Sequence, residues 1–212
     1  MRTVAARKNV KPLSRERIGE AALAHIEAHG RAALSMRSLA ADLGCEAMSL
    51  YHHVDGIDGV LDEVVDRLLA KVAGVLQDAQ DARKGLEAFA RAFLALAENY
   101  PEAFALVPTR LWRTPAAMTL VGSAVKLLRE LGLPQRTALR QARVIGAYLN
   151  GAGLALSAWR RTGKALSGKM QAAAINDAEL APLRSHVTAR DVRADLDAGM
   201  RLILDAIEAR RR

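Results

Sequence analysis

The histidines of this sequence are the residues whose type and spacing could bind a metal ion. His25 and His29 are four residues apart, which places both on one helical face, within reach of a single ion. The residues between them do not form the His-Glu-x-x-His pattern of zinc hydrolases, and Glu27 points away from both imidazoles. His52 and His53 are adjacent, and adjacent helical side chains point about 100° apart, so they cannot form a chelate. The sequence therefore predicts no metal site and no cofactor.

Other catalytic patterns are also missing from the sequence. It contains no Gly-rich phosphate loop and no nucleophile elbow. The single cysteine, Cys45, excludes an internal disulfide and is typical of a reducing compartment. No stretch approaches the roughly 18 apolar residues that cross a bilayer. We therefore expect a cytoplasmic protein that has no catalytic residues, is not an enzyme and does not contact a membrane.

The elements that position the polar residues are predicted to be helices. Hydrophobic residues make up 51% of the 212 positions, whereas aromatic residues make up 4% and prolines number six. Alanine and leucine, both strong helix formers, are abundant. We therefore predict an all-α fold.

Residues 34–54 are predicted to form two short helices joined by a tight turn. Ser35 can cap the first helix, and Gly44 stands where a left-handed residue would end it. The second helix would bury Leu50 and Val54, which are four residues apart. Helix, glycine turn and second helix make the helix-turn-helix unit, whose second helix enters the major groove of DNA. Spacing alone also allows a purely structural helical hairpin.

The order of residues in this unit is more specific. Leu-x-x-Arg-x-Leu-Ala-x-x-Leu-Gly, followed by Ser-Leu-Tyr-x-His-Val, resembles the DNA-binding domain of the tetracycline repressor (TetR) family over about residues 14–69. The resemblance implies an N-terminal three-helix DNA-binding bundle and a larger C-terminal helical domain. We accordingly expect a flexible basic arm over 1–13, a helix-turn-helix domain over 14–57 and an effector-binding and dimerisation domain over 58–212.

The resemblance also implies which residues contact DNA. Arg37 would reach a guanine, whose two acceptors match a guanidinium, although a phosphate contact or a solvated arginine stays open. The base-reading positions of the family correspond to Ala47 and Ser49. The positions that meet or pack near the sugar-phosphate backbone correspond to Tyr51, His52 and His53.

Charge is distributed unevenly along the chain. The net charge is +8, and residues 1–17 hold six cations and one anion, a net of +5. Residues 35–57 carry a net of −2, and Ile57 stands where many relatives have a phosphate-binding lysine. Phosphate attraction should therefore come mostly from the N-terminal arm, the first helix and helix N-termini. The residues assigned to this role are Lys8, Lys11, Arg15, Arg17 and Ser35.

The rest of the chain is predicted to form helices with one apolar face each. After a turn over 55–59, a long helix should run to about Leu76 and join the two domains. Its apolar stripe is predicted to consist of Val60, Leu61, Val64, Val65, Leu68, Leu69, Val72 and Leu76. Pro101 would open and Pro108 would close a short helical piece. Thr114-Pro115 would start the next helix, with Met118, Val121, Val125 and Leu128 facing inward. Long helices over 135–161 and 188–211 would enclose a partly ordered, mobile segment.

The implied C-terminal domain would bind an effector and a second copy of the chain. In the family, a mostly apolar pocket holds a ligand that changes the spacing of the two DNA-binding heads. A two-fold dimer that reads a palindrome doubles the base contacts. For each residue, packing inside the chain's own core stays an alternative. The candidate effector contacts are Phe89, Phe93, Tyr100, Phe104, Trp112, Met118, Asn150 and Leu154. The candidate dimer contacts are Leu139, Ala142, Ile145, Leu149, Leu156, Leu196, Ile203 and Ile207.

These patterns favour a sequence-specific DNA-binding transcriptional regulator, a repressor that a mostly apolar small molecule releases from a palindromic operator. The main alternative is a ligand-binding helical module whose DNA binding is weakened or lost, which Ile57 and the acidic balance of 35–57 favour. A nucleoid-type DNA binder would share the basic arm, but it would not need a long apolar second domain.

Overall fold

The structure, a computed structural model, describes residues 12–110, 113–173 and 189–209, and the side chains of these ranges except 162–173 and 189–191. Every regular element in these ranges is helical, which confirms the all-α prediction. No helix in the part of the chain described is both long and apolar enough to cross a bilayer. Lys8, Lys11 and Trp112 lie outside the described residues, as does most of the predicted N-terminal arm.

Three helices form the N-terminal head: α1 (Arg15–His29), α2 (Met36–Leu43) and α3 (Ala47–Tyr51). The Ser14 hydroxyl caps α1 by accepting a hydrogen bond from the Arg17 amide at 3.2 Å. Gly30, with φ of 79°, ends α1 in a backbone conformation that side chains disfavour. A 3-10 turn, Arg31–Ala33, leads to α2. The core of the head is fully buried and includes Ile18, Ile26, Leu39 and Leu50.

A single long helix, α4 (Gly56–Gln77), leaves the head and enters the body of the protein. It packs against α1 at one end and against α5 and α7 along its length. The apolar stripe expected from the sequence is buried, at Val60, Leu61, Val64, Val65, Leu68, Leu69, Val72 and Leu76. Because this stripe serves both cores, the head and the body are joined by a rigid element.

The predicted turn over 55–59 is wrong, because α4 already begins at Gly56. Asp58 lies in the first turn of α4, where a negative charge stabilises the helix N-terminus. Gly59 does not interrupt the helix. A Cβ there would lie 3.4 Å from the Cβ of Val54, an ordinary van der Waals distance, so the packing does not require glycine at this position.

The body continues with α5 (Ala82–Asn99), a 3-10 turn (Phe104–Leu106) and α6 (Val107–Arg110). The expectation that Pro108 closes the helical piece is wrong, since Pro108 is the second residue of α6. Proline is tolerated there because amides in the first turn of a helix have no intrahelical partner.

Helix α7 (Pro115–Glu130) begins as the sequence predicts, with the Thr114 hydroxyl accepting a hydrogen bond from the Ala117 amide at 3.3 Å. Of its four predicted inward residues, Leu128 is fully buried as predicted, but the other three lie one residue away from the buried positions. Met118 is 56% exposed, and Val121 and Val125 are only half-buried. The buried residues are Ala117, Leu120, Ala124, Leu127 and Leu128. This face packs against α4 and α8 and combines two alanines with three leucines.

Two long helices, α8 (Gln135–Ala173) and α9 (Ala189–Ala209), complete the described chain. The predicted end of α8 at Arg161 is wrong by twelve residues, because extending an existing helix needs no new nucleation. The Tyr148 hydroxyl of α8 donates to the Leu196 carbonyl of α9 at 2.6 Å, and Arg83 of α5 pairs with Asp205 and Glu208 of α9. These contacts fix α9 against the body.

Candidate nucleic-acid interface

The helix-turn-helix unit is held in shape by caps at both ends of α2. The Ser38 amide donates to the Ser35 hydroxyl at 3.0 Å, and the Ser35 amide donates to the Ser38 hydroxyl at 2.9 Å. This reciprocal pair is a capping box in which serine takes the usual place of glutamate. Gly44 adopts the left-handed conformation, with φ of 66°, and its amide donates to Ala40 and Ala41. The turn into α3 is therefore set by local sequence, as expected.

The predicted DNA-contacting residues of the head differ in exposure. Ser35, Arg37, Tyr51 and His52 are exposed. Ala47, Ser49 and His53 are half-buried, so each presents part of its surface to a partner. None of these seven side chains is buried, and their contact with DNA stays a prediction.

Met48 is a candidate contact that the sequence reasoning missed. It is 68% exposed, the most exposed large apolar side chain of the head. Leu50 is fully buried two positions later, and residues two apart on a helix point about 200° from each other. This spacing was the signal that could have identified Met48 as outward-facing. An exposed thioether on α3 could contact a thymine methyl group.

Arg15 and Arg17, which were assigned to phosphate contacts, also have partners inside the head. The Arg15 Nε donates to the His53 carbonyl at 2.8 Å, and its Nη1 lies 3.5 Å from the Glu63 carboxylate. The Arg17 Nη2 donates to the Leu43 carbonyl at 3.4 Å. Both arginines therefore cap the carboxyl ends of α2 and α3 from α1. Contact of either one with phosphate stays a prediction.

His25 joins α1 to α2, which the sequence did not reveal. It is buried, its Nδ1 lies 2.6 Å from the Asp42 carboxylate, and its ring meets the edge of the His29 ring with centroids 4.9 Å apart. No group of three or more potential ligands that could hold a metal occurs within the described residues. Together these contacts position α2 on α1.

Acidic residues of α4 bind α6 and the start of α7. The Arg110 guanidinium donates to Asp58 and to Asp62 at 2.6 Å each, and the Ala116 amide at the start of α7 donates to Asp66 at 2.8 Å. The hydrogen bond from Arg110 lowers the pKa of the Asp58 carboxyl. Ile57 is half-buried and packs against the core. The carboxylates of Asp58, Asp62 and Asp66 therefore accept hydrogen bonds within the protein, and not all of this negative charge faces DNA.

A cavity of about 60 Å³ lies between α5, α7 and α8. Of the predicted effector residues, Phe89, Phe93 and Asn150 line it. Phe104 is fully buried behind Phe93, with ring centroids 5.5 Å apart, and Tyr100 is half-buried under the Lys71 ammonium. The residues that line the cavity do not include Tyr100, Phe104, Met118 or Leu154, so their assignment as cavity contacts is wrong. Met118 lies beside the buried stripe of α7, and Leu154 follows Gly153, the residue of α8 that faces Phe104.

The predicted dimer residues also need correction. Ile145, Leu149, Leu156 and Ile207 are buried in the chain's own core, so they are not available to a second copy. Ala142, Leu196 and Ile203 are half-buried against the same core, and Leu139 is exposed. Among the apolar and small residues that α8 and α9 expose are Val144, Ala147, Gly151, Leu154, Ala155, Leu202 and Ala206. We call these seven residues the exposed α8–α9 face.

Comparison with known proteins places this fold in a family. The family model described as "Tetracyclin repressor-like, C-terminal domain" matches residues 76–211. The HTH-type transcriptional repressor DrrR1 of Streptomyces coeruleorubidus is 34% identical over 142 residues, which cover 66% of this chain and 52% of DrrR1. An HTH-type transcriptional regulator of Saccharopolyspora erythraea is 30% identical over 156 residues, 73% of this chain and 66% of that protein. The chain thus spans about half to two thirds of the length of these relatives.

A solved structure shows the same fold. The TetR family protein ActR of Streptomyces coelicolor, in complex with actinorhodin, superimposes with a TM-score of 0.78 at 23% identity, covering 93% of this chain and 96% of ActR. The family match extends over well over half of the sequence, and the capped helix-turn-helix head precedes it. The chain therefore belongs to the tetracycline repressor family.

Proposed function

We propose that this protein is a dimeric, sequence-specific DNA-binding regulator of transcription, a repressor that a mostly apolar small molecule releases from a palindromic operator. One observation carries the proposal. A capped helix-turn-helix unit with an accessible α3 is joined, through the continuous helix α4, to a body that contains an apolar cavity. In this proposal the protein acts in the cytoplasm, catalyses no reaction and needs no cofactor.

DNA recognition is assigned to the exposed side of the head. Arg37 would donate to a guanine, and Ala47, Met48 and Ser49 on α3 would meet the base edges in the major groove. Ser35, Tyr51, His52 and His53 would contact the backbone, together with Arg15, Arg17 and the N-terminal cations Lys8 and Lys11. Phosphate contacts position the head, and the α3 side chains then discriminate between sequences.

Dimerisation is assigned to the exposed α8–α9 face. Leu202 is 69% exposed and Val144 is 50% exposed, which are costly exposures for a long-lived monomer. A Cβ at Gly151 would meet no atom within 4 Å in this chain, so its bare backbone is open to a second helix. Two copies packed through this face would form a four-helix bundle and present their heads together. A palindrome with half-sites about 34–36 Å apart would then match the pair.

Release is assigned to a change in population between two head spacings. A ligand that fits the cavity better in one arrangement would shift the equilibrium by its differential affinity. Asp62 and Asp66 of α4 accept hydrogen bonds from Arg110 of α6 and from the amide of Ala116 at the start of α7. These bonds join α4, which extends from the head, to α6 and α7. A movement of the cavity walls would therefore reach α4.

The experiment that tests the proposal is selection of bound fragments from genomic DNA by the purified full chain. A regulator should enrich one palindrome. Arg37→Ala should weaken binding to that palindrome by about 1–3 kcal/mol, whereas Arg129→Ala, which removes an exposed arginine from the last turn of α7, should leave it unchanged. Enrichment of no sequence would contradict the proposal.

The second candidate function is a ligand-binding module without operator binding. The net charge of −2 over residues 35–57 and the apolar Ile57 favour it, because both reduce attraction for phosphate. This candidate predicts that a ligand binds the cavity while the genomic selection enriches nothing.

A further inference from the structure

Asn150 differs from every other residue that lines the cavity. The other lining residues described by the structure carry apolar side chains or, at Gly146, none. The side-chain oxygen of Asn150 is buried and has no hydrogen-bond partner among the described residues. Buried polar groups in proteins are almost always paired, because an unpaired acceptor loses its water without compensation.

A water molecule is a poor partner for this oxygen. The oxygen exposes less than 1 Å² to water in this structure. A well-held water would also need about three hydrogen bonds, and Asn150 is the one polar side chain that lines the cavity. A molecule that is apolar over most of its surface and carries one donor satisfies both features of the site. Its apolar part would replace water against the walls, and its donor would pair with Asn150.

The aromatic walls indicate the shape of such a molecule. Phe89 and Phe93 lie with ring centroids 5.7 Å apart and planes tilted by 53°, and both rings line the cavity. A flat aromatic ring can pack edge-on or offset against them. Gly146 is one helical turn before Asn150 on the same face of α8, and a Cβ there would meet nothing within 4 Å. The backbone at Gly146 is therefore open to the ligand.

We propose that Asn150 is a ligand-binding residue that selects aromatic effectors with a single O–H or N–H donor, of the phenol or indole class. The inference rests on the proposed function only in treating the ligand as an effector. Binding itself can be measured without DNA. A cavity of about 60 Å³ is smaller than the roughly 150 Å³ site that accepts benzene, so a ring can enter only if the walls move apart. The same movement has to bring the Asn150 oxygen, which exposes less than 1 Å² in this structure, into contact with the donor of the ligand.

The test compares two probes of similar size and shape. Indole carries an N–H donor, and benzofuran has an oxygen in its place and no donor. Calorimetric titration of the full chain should show that indole binds roughly fivefold or more tightly than benzofuran, as expected for one hydrogen bond. Asn150→Leu should remove this preference. If that variant does not fold, Asn150→Ala gives the same readout.

Two control variants distinguish the effect of the hydrogen-bond donor from the effect of the cavity volume. Asn99→Leu removes an exposed amide from the end of α5 and should keep the preference for indole. Gly146→Val fills the open side of the cavity and should weaken both probes while keeping their ratio. Equal binding of the probes, tighter binding of benzofuran, a preference that survives in Asn150→Leu, or failure of wild type to bind indole would each overturn the inference. If the preference for indole depends on Asn150 but the genomic selection enriches no DNA sequence, the inference about Asn150 stands and the proposed regulatory function is wrong.

Discussion

The carboxylate of Glu27 accepts a hydrogen bond from the backbone amide of Ala103 at 2.8 Å, and so joins the head to the body of the protein. Glu27 lies on α1, and Ala103 immediately precedes Phe104. The Phe104 ring packs against Phe93, which lines the cavity. A continuous set of contacts therefore connects the cavity wall with the helix that supports the DNA-binding unit.

Replacing Glu27 by alanine should loosen this junction. The Ala103 amide would lose its acceptor, and we expect the free energy of unfolding to fall by about 1–2 kcal/mol. Hydrogen exchange at the Ala103 amide should become faster. Glu20→Ala, on the exposed side of the same helix, is the matched control and should change neither quantity. Unchanged exchange at Ala103 in Glu27→Ala would show that the bond does not hold the junction.

The ionisation of Glu27 gives a prediction for pH. Burial raises the pKa of Glu27 above its ordinary value, and the amides of Ala103 and Glu102 only partly oppose the shift. A raised pKa in the folded state stabilises the fold below the ordinary pKa, and this contribution is lost as pH rises through the folded-state value. The free energy of unfolding of wild type minus that of Glu27→Gln should therefore decrease from about pH 4 upward. Urea denaturation across this range measures the difference, and a flat or rising difference would contradict the prediction.

Two glycines of α8 should respond to alanine in opposite directions. A Cβ at Gly153 would overlap the Phe104 ring, whereas one at Gly146 would meet nothing. Gly153→Ala should lower the free energy of unfolding by about 1–3 kcal/mol through overpacking. Gly146→Ala should raise it by about 0.5–1 kcal/mol, because alanine favours helix. Urea midpoints at constant slope give both values. Equal stability of the two variants would show that Gly153 is not needed for close packing.

Removing residues 1–12 should weaken operator binding severely. The deletion removes Arg2, Arg7, Lys8 and Lys11, which supply much of the positive charge available to phosphate. The slope of log affinity against log salt should flatten by about 0.9 for each phosphate that the arm no longer neutralises. A fluorescence anisotropy titration at several salt concentrations measures both. The control removes two cations from α7, in Lys126→Ala/Arg129→Ala, and should leave the slope unchanged. Full affinity without the arm would place phosphate binding elsewhere.

Charge introduced on the exposed α8–α9 face should produce monomers. Val144→Asp and Leu202→Asp would each bury two unpaired carboxylates at a two-fold interface, which is strongly unfavourable. Sedimentation should show half the mass of the wild type, and operator affinity should fall with it. Thr119→Asp places the same charge on an exposed position of α7 and should remain a dimer. Variants at Val144 and Leu202 that stay dimeric would rule out this face.

The sequence by itself determined the local features of this protein. Ser35 and Thr114 cap their helices as expected, and Gly44 ends α2 as expected. The buried stripe of α4 was also identified without error. Capping bonds join residues within three or four positions, and one clear apolar stripe can face only one way. Such features are fixed by neighbours along the chain, and the residue order around them was enough to identify the family.

The tertiary structure decided which apolar face of each later helix turns inward. Helix α8 carries apolar residues on two sides, and the sequence could not show that Ile145 and Leu149 face the core while Val144 and Leu154 face outward. Met118 was misplaced for the same reason. The contacts of Glu27 with Ala103 and of His25 with Asp42 join residues far apart in sequence. Contacts of this kind, and the unpaired oxygen of Asn150, exist only once the helices are packed. Packing sets the distances between these groups and their access to water.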